Sequence, residues 1–335
     1  MAGYEVHAVN LVDLPLVRRL GDRGVVLDSE LRYTRANGGP NGAFLSSILL
    51  PQRSLYSLVG RAYRQSVFAQ FRLKADDHLA QIVYIAPDLQ PDLDDSAWLA
   101  IVDAIAYEAG RRGAYILTAE VDELNPLFIT MRTAGFAVYA RQEIWRCAPR
   151  AACDMRQRAA LGRLAGELRE ETDDDTMDIQ LLYSNIVPRL VQSISVPSRD
   201  SSGIVYRKEG RAQGYIAVSE GKHGVYLMPY LHPDVLGREA SAIIAAVIAQ
   251  IDRAERVPVF VCVRRYQDWL AESLSEMGFE AWTQQAVMVR HIAAGIRQAA
   301  FAPLSYTLEA MPNVIRPPTS PIVKTELTKQ ERPST

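Results

Sequence analysis

The sequence is poor in the residues that mark several classes of protein. It has three cysteines among 335 residues, and they form neither a CxxC pair nor a disulfide framework. Its five histidines are scattered, without an HxxxH spacing or a His/Cys cluster, so we predict no metal site. No run approaches the ~20 apolar residues of a membrane span, and no basic segment followed by an apolar one indicates a signal peptide. We therefore expect a cytoplasmic protein without a membrane partner.

An excess of either charge is also lacking. Lysine and arginine number 37 and aspartate and glutamate 39, which gives a formal net charge of -2. Such a balance provides no overall attraction to nucleic acid, so we predict no nucleic-acid partner. With about 150 residues for an average domain, the length favours about two domains. A hydrophobic content of 48% is enough for each domain to bury its own core.

What the sequence does contain is one pattern that occurs twice. A strand-like run, a polar break, an alanine-rich helix, a second apolar strand and a helix that ends in Gly-Phe span residues 81–136 and again 225–279. The glycines of the two Gly-Phe pairs, Gly135 and Gly278, lie 143 positions apart. The separation stays nearly constant through the whole block, which predicts one fold duplicated in tandem.

The segments around the first copy predict an α+β half. Asp13 can N-cap a short helix through Leu20, since Pro15 suits the first turn of a helix. Two runs rich in aromatic and β-branched residues, 55–59 and 66–73, have the composition or alternation of strands. Residues 137–146 have the composition of a closing pair of strands.

The segments around the second copy predict a similar half. Residues 166–172 form a weak first strand, and the acidic residues 173–175 precede a helix at 177–186, where they favour the helix dipole. Runs at 203–208, 213–219 and 225–228 are separated by turn formers and predict an antiparallel meander. We therefore predict an N-terminal domain at 1–148, a C-terminal domain at 149–295 and an extended proline-rich tail at 296–335.

The second copy carries the most specific motif in the chain. The segment His232-Pro-Asp-Val-Leu-Gly-Arg-Glu-Ala-Ser241 precedes an Ala/Ile-rich helix, and Met277-Gly-Phe279 closes the unit. The order of elements and this segment resemble the GNAT superfamily of acyl-CoA-dependent N-acyltransferases. The resemblance covers most of both halves. It implies an α+β fold of two tandem GNAT-like domains, each a mixed, mostly antiparallel twisted sheet flanked by helices.

The resemblance also implies a cofactor site in the second half. In the family, the loop after the fourth strand begins a helix whose backbone amides hold the pyrophosphate of CoA, as helix N-termini bind anions in general. Acetyl-CoA is therefore the implied co-substrate. The residues that match the motif and the strand before it are Tyr230, Leu231, His232, Gly237, Arg238, Glu239, Ala240 and Ser241. The same loop in the first half, residues 88–96, has four aspartates and no glycine, so we expect it to repel phosphate and to cap the following helix.

The sequence departs from the family pattern at several positions. Glu239 and Ser241 replace glycines of the family's loop, and a carboxylate beside pyrophosphate lowers affinity unless its side chain turns away. Many members have a tyrosine, which protonates the leaving thiolate, at the positions of Met131 and Leu274. Tyr266, near the start of the last helix, is the candidate catalytic substitute. The family's frequent asparagine falls on two further positions, Leu124 and Gln267.

These features leave two main hypotheses and a third. The first is an acyl-CoA-dependent N-acyltransferase that transfers acetyl to a small-molecule or peptide amine, with a homodimer as one possible assembly. The second is a catalytically inactive GNAT-like protein that acts as a binding or assembly module, because the loops are degenerate and the usual tyrosines are absent. The third is a scaffold whose proline-rich tail mediates docking.

Overall fold

The computed structural model describes residues 5–35, 54–61, 65–75, 77–149, 151–152, 164–194, 202–235 and 237–292, so the predicted tail lies outside the described residues. The strands of the first half are β1 (Glu5–Ala8), β2 (Val25–Val26), β3 (Leu55–Arg61), β4 (Ser66–Arg72), β5 (Leu79–Ala86), β6 (Ile116–Asp122) and β7 (Ala137–Cys147). Those of the second half are β8 (Glu167–Glu170), β9 (Ser202–Lys208), β10 (Arg211–Glu220), β11 (Val225–Leu231), β12 (Val259–Arg264) and β13 (Glu280–His291). The α-helices are α1 (Leu14–Leu20), α2 (Ser29–Thr34), α3 (Ser96–Arg111), α4 (Leu127–Thr133), α5 (Thr176–Ile186), α6 (Arg189–Gln192), α7 (Arg238–Gln250) and α8 (Leu270–Glu276).

All these strands belong to one mixed sheet. Its order is β1-β3-β4-β5-β6-β13-β7-β12-β11-β10-β9-β8, and β2 pairs with β5 beside this path. The pairs β5–β6 and β11–β12 are parallel, and the other pairs are antiparallel. The predicted α+β architecture of two similar halves in tandem, each a mostly antiparallel sheet flanked by helices, is confirmed.

The two halves exchange partners at their closing strands. The predicted strand pair at 137–146 is wrong, because β7 is one continuous strand through Cys147. This segment contains no glycine, proline or asparagine at which the chain could turn. Its partner is β13 of the second half, which lies between β6 and β7, while β7 also pairs with β12. The halves therefore share backbone hydrogen bonds, and the domain boundary at 148 stays a prediction.

Each half packs its own long helix against the sheet. In the first half, Trp98, Ile101 and Ile105 of α3 are fully buried against the strands. In the second, α7 buries Ile243, Val247 and neighbouring apolar residues in a separate cluster. These positions recur every three or four residues, which is the spacing that places them on one helical face. The helices predicted at 96–112 and 238–253 are thus confirmed, with α7 ending at Gln250.

A buried aspartate holds the start of the first half. Asp13 precedes α1, but its carboxylate does not cap that helix through a hydrogen bond. It instead accepts from the backbone N–H of Asn10 at 3.1 Å, lies 3.0 Å from Nε2 of His7 and accepts from Arg61 Nη2 at 2.5 Å. The helix predicted after Asp13 is therefore present, whereas the chemistry of its cap was predicted wrongly.

A second buried aspartate has the same place in the second half. Asp175 precedes α5 and accepts from the N–H of Thr172 at 2.9 Å. Arg169 donates to its carboxylate at 2.7 and 2.8 Å, and Arg207 donates at 2.8 Å. The hydrogen bonds from Arg169 are the largest cause that lowers the pKa of Asp175, ahead of those from Thr172. Strands β1 and β3 of one half thus correspond to β8 and β9 of the other.

Candidate functional site

Each half contains a gap between two parallel strands. Strand β5 pairs with β6 only at residues 79–81, and β11 pairs with β12 only at residues 225–227. Beyond these residues the strands diverge, and the backbone N–H and C=O groups along the inner edges need other hydrogen-bond partners. We call the gap between β5 and β6 the first gap and that between β11 and β12 the second gap.

The first gap is filled by the chain itself. Strand β2 pairs antiparallel with the diverging part of β5. Next to it, Leu27 N donates to Val83 O at 3.0 Å, and Glu120 N of β6 donates to Leu27 O at 3.0 Å. Residues 25–27 therefore bond to both diverging strands, as an added strand would.

The acidic loop after the first gap is held by protein donors. Asp88 accepts from Asn125 Nδ2 at 2.9 Å, and Asp95 accepts from Thr130 Oγ1 at 2.8 Å. Asp94 accepts from the hydroxyl and the N–H of Ser96, and these two bonds lower the pKa of its carboxyl. The aspartates therefore have structural partners at the start of α3, as the sequence indicated.

A single side chain spans the second gap. Gln267 follows β12 and is 1% exposed. Its Oε1 accepts from Leu231 N at 3.1 Å, and its Nε2 donates to Pro229 O at 2.8 Å. These are backbone groups of β11 on the edge that faces β12. Gln267 thus bonds to one strand of the second gap with its side-chain amide, whereas residues 25–27 bond to both strands of the first gap with their backbone.

The predicted pyrophosphate loop leads into the start of α7, where there is free space beside its backbone. Gly237 is the N-cap with a φ of 55°, a left-handed conformation that favours glycine, and a Cβ built there meets nothing within 4 Å. Arg238 is exposed beside it, and Ala240 is buried in the core of the second half. Ser241 closes the first turn, because its N–H and hydroxyl both donate to Gly237 O at 3.1 and 3.2 Å.

The carboxylate of Glu239 turns away from this loop. It accepts from the Tyr206 hydroxyl at 2.5 Å and from Lys208 Nζ at 3.0 Å. These bonds, the one from Tyr206 first, lower the pKa of Glu239, so it is ionised at neutral pH. Its charge is compensated by Lys208 on β9, and the penalty expected from the sequence is therefore reduced.

The three predicted residues at the end of β11 face different surroundings. The Tyr230 ring is buried in a cluster beneath α5 and α6. The side chain of Leu231 packs on the opposite face, in the cluster of α7. The backbone N–H of His232 donates to Gln213 O at 2.8 Å, and Nδ1 of its half-buried ring accepts from Asp234 N at 3.2 Å. Of the backbone groups of these three residues, the N–H of Leu231 is the one bonded to Gln267.

A cavity of about 300 Å³ lies on the Tyr230 face of the sheet. Its lining is mostly aromatic and aliphatic and consists of Ile179, Gln180, Leu182, Tyr183, Ser184, Tyr215 and Tyr230. Tyr266 packs against the same cluster as Tyr230. By contrast, the positions at which the family has its tyrosine, Met131 and Leu274, are fully buried in the two helical cores. The structure therefore brings Tyr266, rather than these positions, to the cavity side of the second gap.

A buried polar row, which the sequence did not reveal, crosses the junction of the halves. Gln285 Oε1 accepts from Ser29 Oγ at 2.7 Å and from Gln142 Nε2 at 2.8 Å. Glu120 accepts from Ser29 N at 2.8 Å and lies 3.5 Å from Nη2 of Arg264. Arg264 ends an apolar strand, where a charged residue usually reaches solvent, so no local pattern distinguishes it.

Two other kinds of functional feature are absent from the described residues. In the described part of the chain, no three His, Cys, Asp or Glu side chains are grouped to hold a metal ion. The helices described above are all too short or too polar to cross a membrane. Cys262 is buried, and burial raises the pKa of its thiol to about 11, so it is a protonated, unreactive group.

Comparison with known proteins gives matches in structure alone. No protein-family model matches the sequence, and no curated protein matches it. A tandem GNAT protein from the clavulanic acid biosynthesis pathway, solved without AcCoA, superposes with a TM-score of 0.53 and 13% identity over 87% of this chain and 99% of its own. A GCN5-related N-acetyltransferase from Sphaerobacter thermophilus has a TM-score of 0.52 and 12% identity over 86% of this chain and 96% of its own. The chain therefore has the tandem GNAT fold.

Proposed function

We propose that the chain is an acyl-CoA-dependent N-acyltransferase that uses acetyl-CoA and binds it in its second half. The observation that carries this proposal is the difference between the two loops. Gly237 opens a 13-residue helix with free space beside it, and the nearby carboxylate is compensated by Lys208. The corresponding loop of the first half has its aspartates there instead.

The pyrophosphate would bind at the N-terminus of α7. The backbone N–H groups of Arg238, Glu239 and Ala240 have no partner within the helix, whereas that of Ser241 closes the first turn, and the dipole of α7 favours an anion at this end. The exposed guanidinium of Arg238 adds a charge-assisted hydrogen bond to a phosphate oxygen. The pantetheine arm would lie along β11 near Tyr230, Leu231 and His232, with its amides replacing Gln267 on Leu231 N.

The amine would approach from the cavity side. Its nitrogen attacks the thioester carbonyl, so that a C–N bond forms and the C–S bond breaks. Tyr266 would act as general acid and give its proton to the leaving thiolate, and the acylated nitrogen would return a proton to Tyr266. Holding the amine and the thioester together supplies a further part of the rate. The acceptor is a small-molecule or peptide amine.

Isothermal titration of the purified protein with acetyl-CoA and with CoA tests the cofactor site directly. We expect about one site per chain, and the Arg238→Glu variant should bind more weakly by about 1–3 kcal/mol, the range for a lost charge-assisted bond. Arg256→Glu is the matched control, because Arg256 is exposed beyond the far end of α7 and the variant changes the net charge equally. Equal affinity of the two variants would contradict the proposed loop.

The position of Gln267 favours a second candidate, a catalytically inactive GNAT-like binding or assembly module. Its amide satisfies the groups of β11 that a pantetheine arm would need. A protein that never binds acyl-CoA would gain stability from this arrangement. In that case millimolar acetyl-CoA gives neither heat nor thermal stabilisation, whereas a transferase gives both.

A further inference from the structure

Arg264 is a buried cation with little compensation. The residue is 4% exposed, and its one ion pair with a described residue, from Nη2 to Glu120 Oε1, is long at 3.5 Å. Its Nε and Nη1 are buried and have no hydrogen-bond partner among the described residues. A guanidinium carries five N–H donors and stays charged at any physiological pH, so leaving donors unmatched in the interior costs free energy.

The neighbours of Arg264 do not compensate this cost. Glu120 also accepts from Ser29 N at 2.8 Å, so its charge is shared with the start of α2. The hydroxyl of Tyr226 is likewise buried and interacts with the thiol of Cys262. A cation that served packing alone would be expected to have a close, bidentate carboxylate. The donors that remain are therefore unmatched within the described part of the chain.

The location of Arg264 connects it to the proposed reaction. It ends β12, and β12 has separated from β11 at this level. Alternate residues of a strand share a face, so Arg264 lies on the face of Phe260 and Cys262. These pack with Tyr226, and the partly buried Met228 belongs both to their cluster and to that of Tyr230. The cation is therefore on the cavity side of the second gap.

We propose that Arg264 binds a carboxylate of the acceptor, so that the acceptor is an amine that also carries a carboxylate, such as an amino acid. Two carboxylate oxygens match the planar array of guanidinium donors, and the pair is strong in a desolvated site. The mostly apolar lining of the cavity suits an apolar or aromatic side chain on the same molecule. The assignment of this ligand as acceptor rests on the proposed transferase activity, whereas its binding does not.

Matched pairs of ligands test the proposal on the full chain without any variant. We would titrate L-phenylalanine against phenethylamine, L-tyrosine against tyramine and L-leucine against 3-methylbutylamine, with and without acetyl-CoA. The amino acid of at least one pair should bind about tenfold or more tightly than its amine, as expected for a hydrogen bond to a charged group. Equal affinities in all pairs, or no binding of any amino acid at millimolar concentration, would overturn the proposal.

Variants then assign the preference to Arg264. Arg264→Gln should abolish the difference within each pair, and Arg264→Lys should keep only part of it, since lysine lacks the planar array. Arg265→Gln is the control, because Arg265 is the next residue and is exposed. Circular dichroism checks folding. If Arg264→Gln does not fold, the Arg264→Lys variant and the ligand pairs measured on the wild type still test the proposal. An unchanged preference of Arg264→Lys for the amino acid over its amine would count against it.

Titration with acetyl-CoA separates this inference from the proposed function. If acetyl-CoA binds and the carboxylate gives no preference, the inference fails and the transferase proposal stands. If the carboxylate preference depends on Arg264 and acetyl-CoA does not bind, the site stands as a ligand site and the transferase proposal fails.

Discussion

The two halves close the same gap with different parts of the chain. In the first half, residues 25–27 bond to both β5 and β6 through backbone atoms. In the second, one glutamine side chain bonds to β11. Opening the first gap would break several backbone bonds and expose Leu27, which is fully buried. Opening the second requires only a side-chain rotation and new partners for two backbone groups.

This difference indicates how a duplicated fold can divide its roles. The half whose gap is closed by backbone gains stability and loses the space for a ligand. Under the proposed function, the other half keeps a gap for a ligand with its own amides, because such a ligand would replace the hydrogen bonds of Gln267. The strands β7 and β13 join the halves, so the first half also supports the sheet on which the second gap depends.

The largest expected effect is on catalysis. It tests the difference between the two halves at Tyr266. Tyr266→Phe should lower kcat by about a hundredfold or more, the contribution typical of a positioned general acid, with little change in affinity for acetyl-CoA. Its counterpart in the first half, 143 positions earlier, is Glu123, which pairs with Arg141 at the surface. Glu123→Gln should leave kcat within twofold. An equal kcat for Tyr266→Phe and wild type would remove Tyr266 from the mechanism.

The second prediction concerns the second gap, where one substitution removes the side chain that spans it. Gln267→Ala leaves Leu231 N and Pro229 O without their partner, so the free energy of unfolding should fall by about 2–4 kcal/mol, as two unsatisfied buried groups cost. Acetyl-CoA should then stabilise the variant more than it stabilises the wild type, because pantetheine amides can bond to the freed groups. Thermal unfolding with and without acetyl-CoA measures both effects.

Leu124→Ala is the matched control for that experiment. Leu124 has the corresponding position in the first half and is 95% exposed, so this substitution should change stability by less than about 0.5 kcal/mol. A Gln267 variant as stable as this control would mean that other groups replace the amide. The second gap would then lack the weak closure on which the comparison depends.

The parts of the fold that the sequence predicted correctly are those with a local pattern. The helices α3 and α7 follow from apolar residues at helical spacing, and the meander β9–β10–β11 follows from turn formers such as Gly210. The closing strands could not be predicted in this way. Residues 137–147 have the composition of strands, but whether they pair with each other or with β13 depends on contacts more than 130 positions away along the sequence.

The features of the candidate site also divide into those with a local sequence pattern and those set by distant contacts. Gly237 and Arg238 were predicted from the resemblance of their loop to that of the GNAT superfamily; the structure places them at the start of α7, and their role there stays a prediction. Residues 25–27 gave no such signal, since a short apolar segment fits many positions in a fold. Arg264 was missed because its contact with Glu120 of the other half joins residues far apart in the sequence and leaves no local pattern. Partners distant in sequence thus determine the features that distinguish the two gaps.

The smallest expected effect compares the aspartates that precede α1 and α5. The pKa of both carboxyls is lowered in the folded protein; at Asp13 burial opposes this, but the bonds from Asn10 and His7 outweigh it. A lowered pKa contributes stability above the ordinary value near 3.8, and this contribution is lost as the pH falls through the folded pKa. Asp175→Asn should therefore cost about 2 kcal/mol at pH 7 and progressively less in acid. Asp13→Asn should lower the stability less, because Asp13 contacts one arginine and one histidine, whereas Asp175 contacts two arginines. Urea unfolding from pH 7 to pH 3 measures the stability lost in both variants. A larger loss for Asp13→Asn than for Asp175→Asn would contradict this prediction.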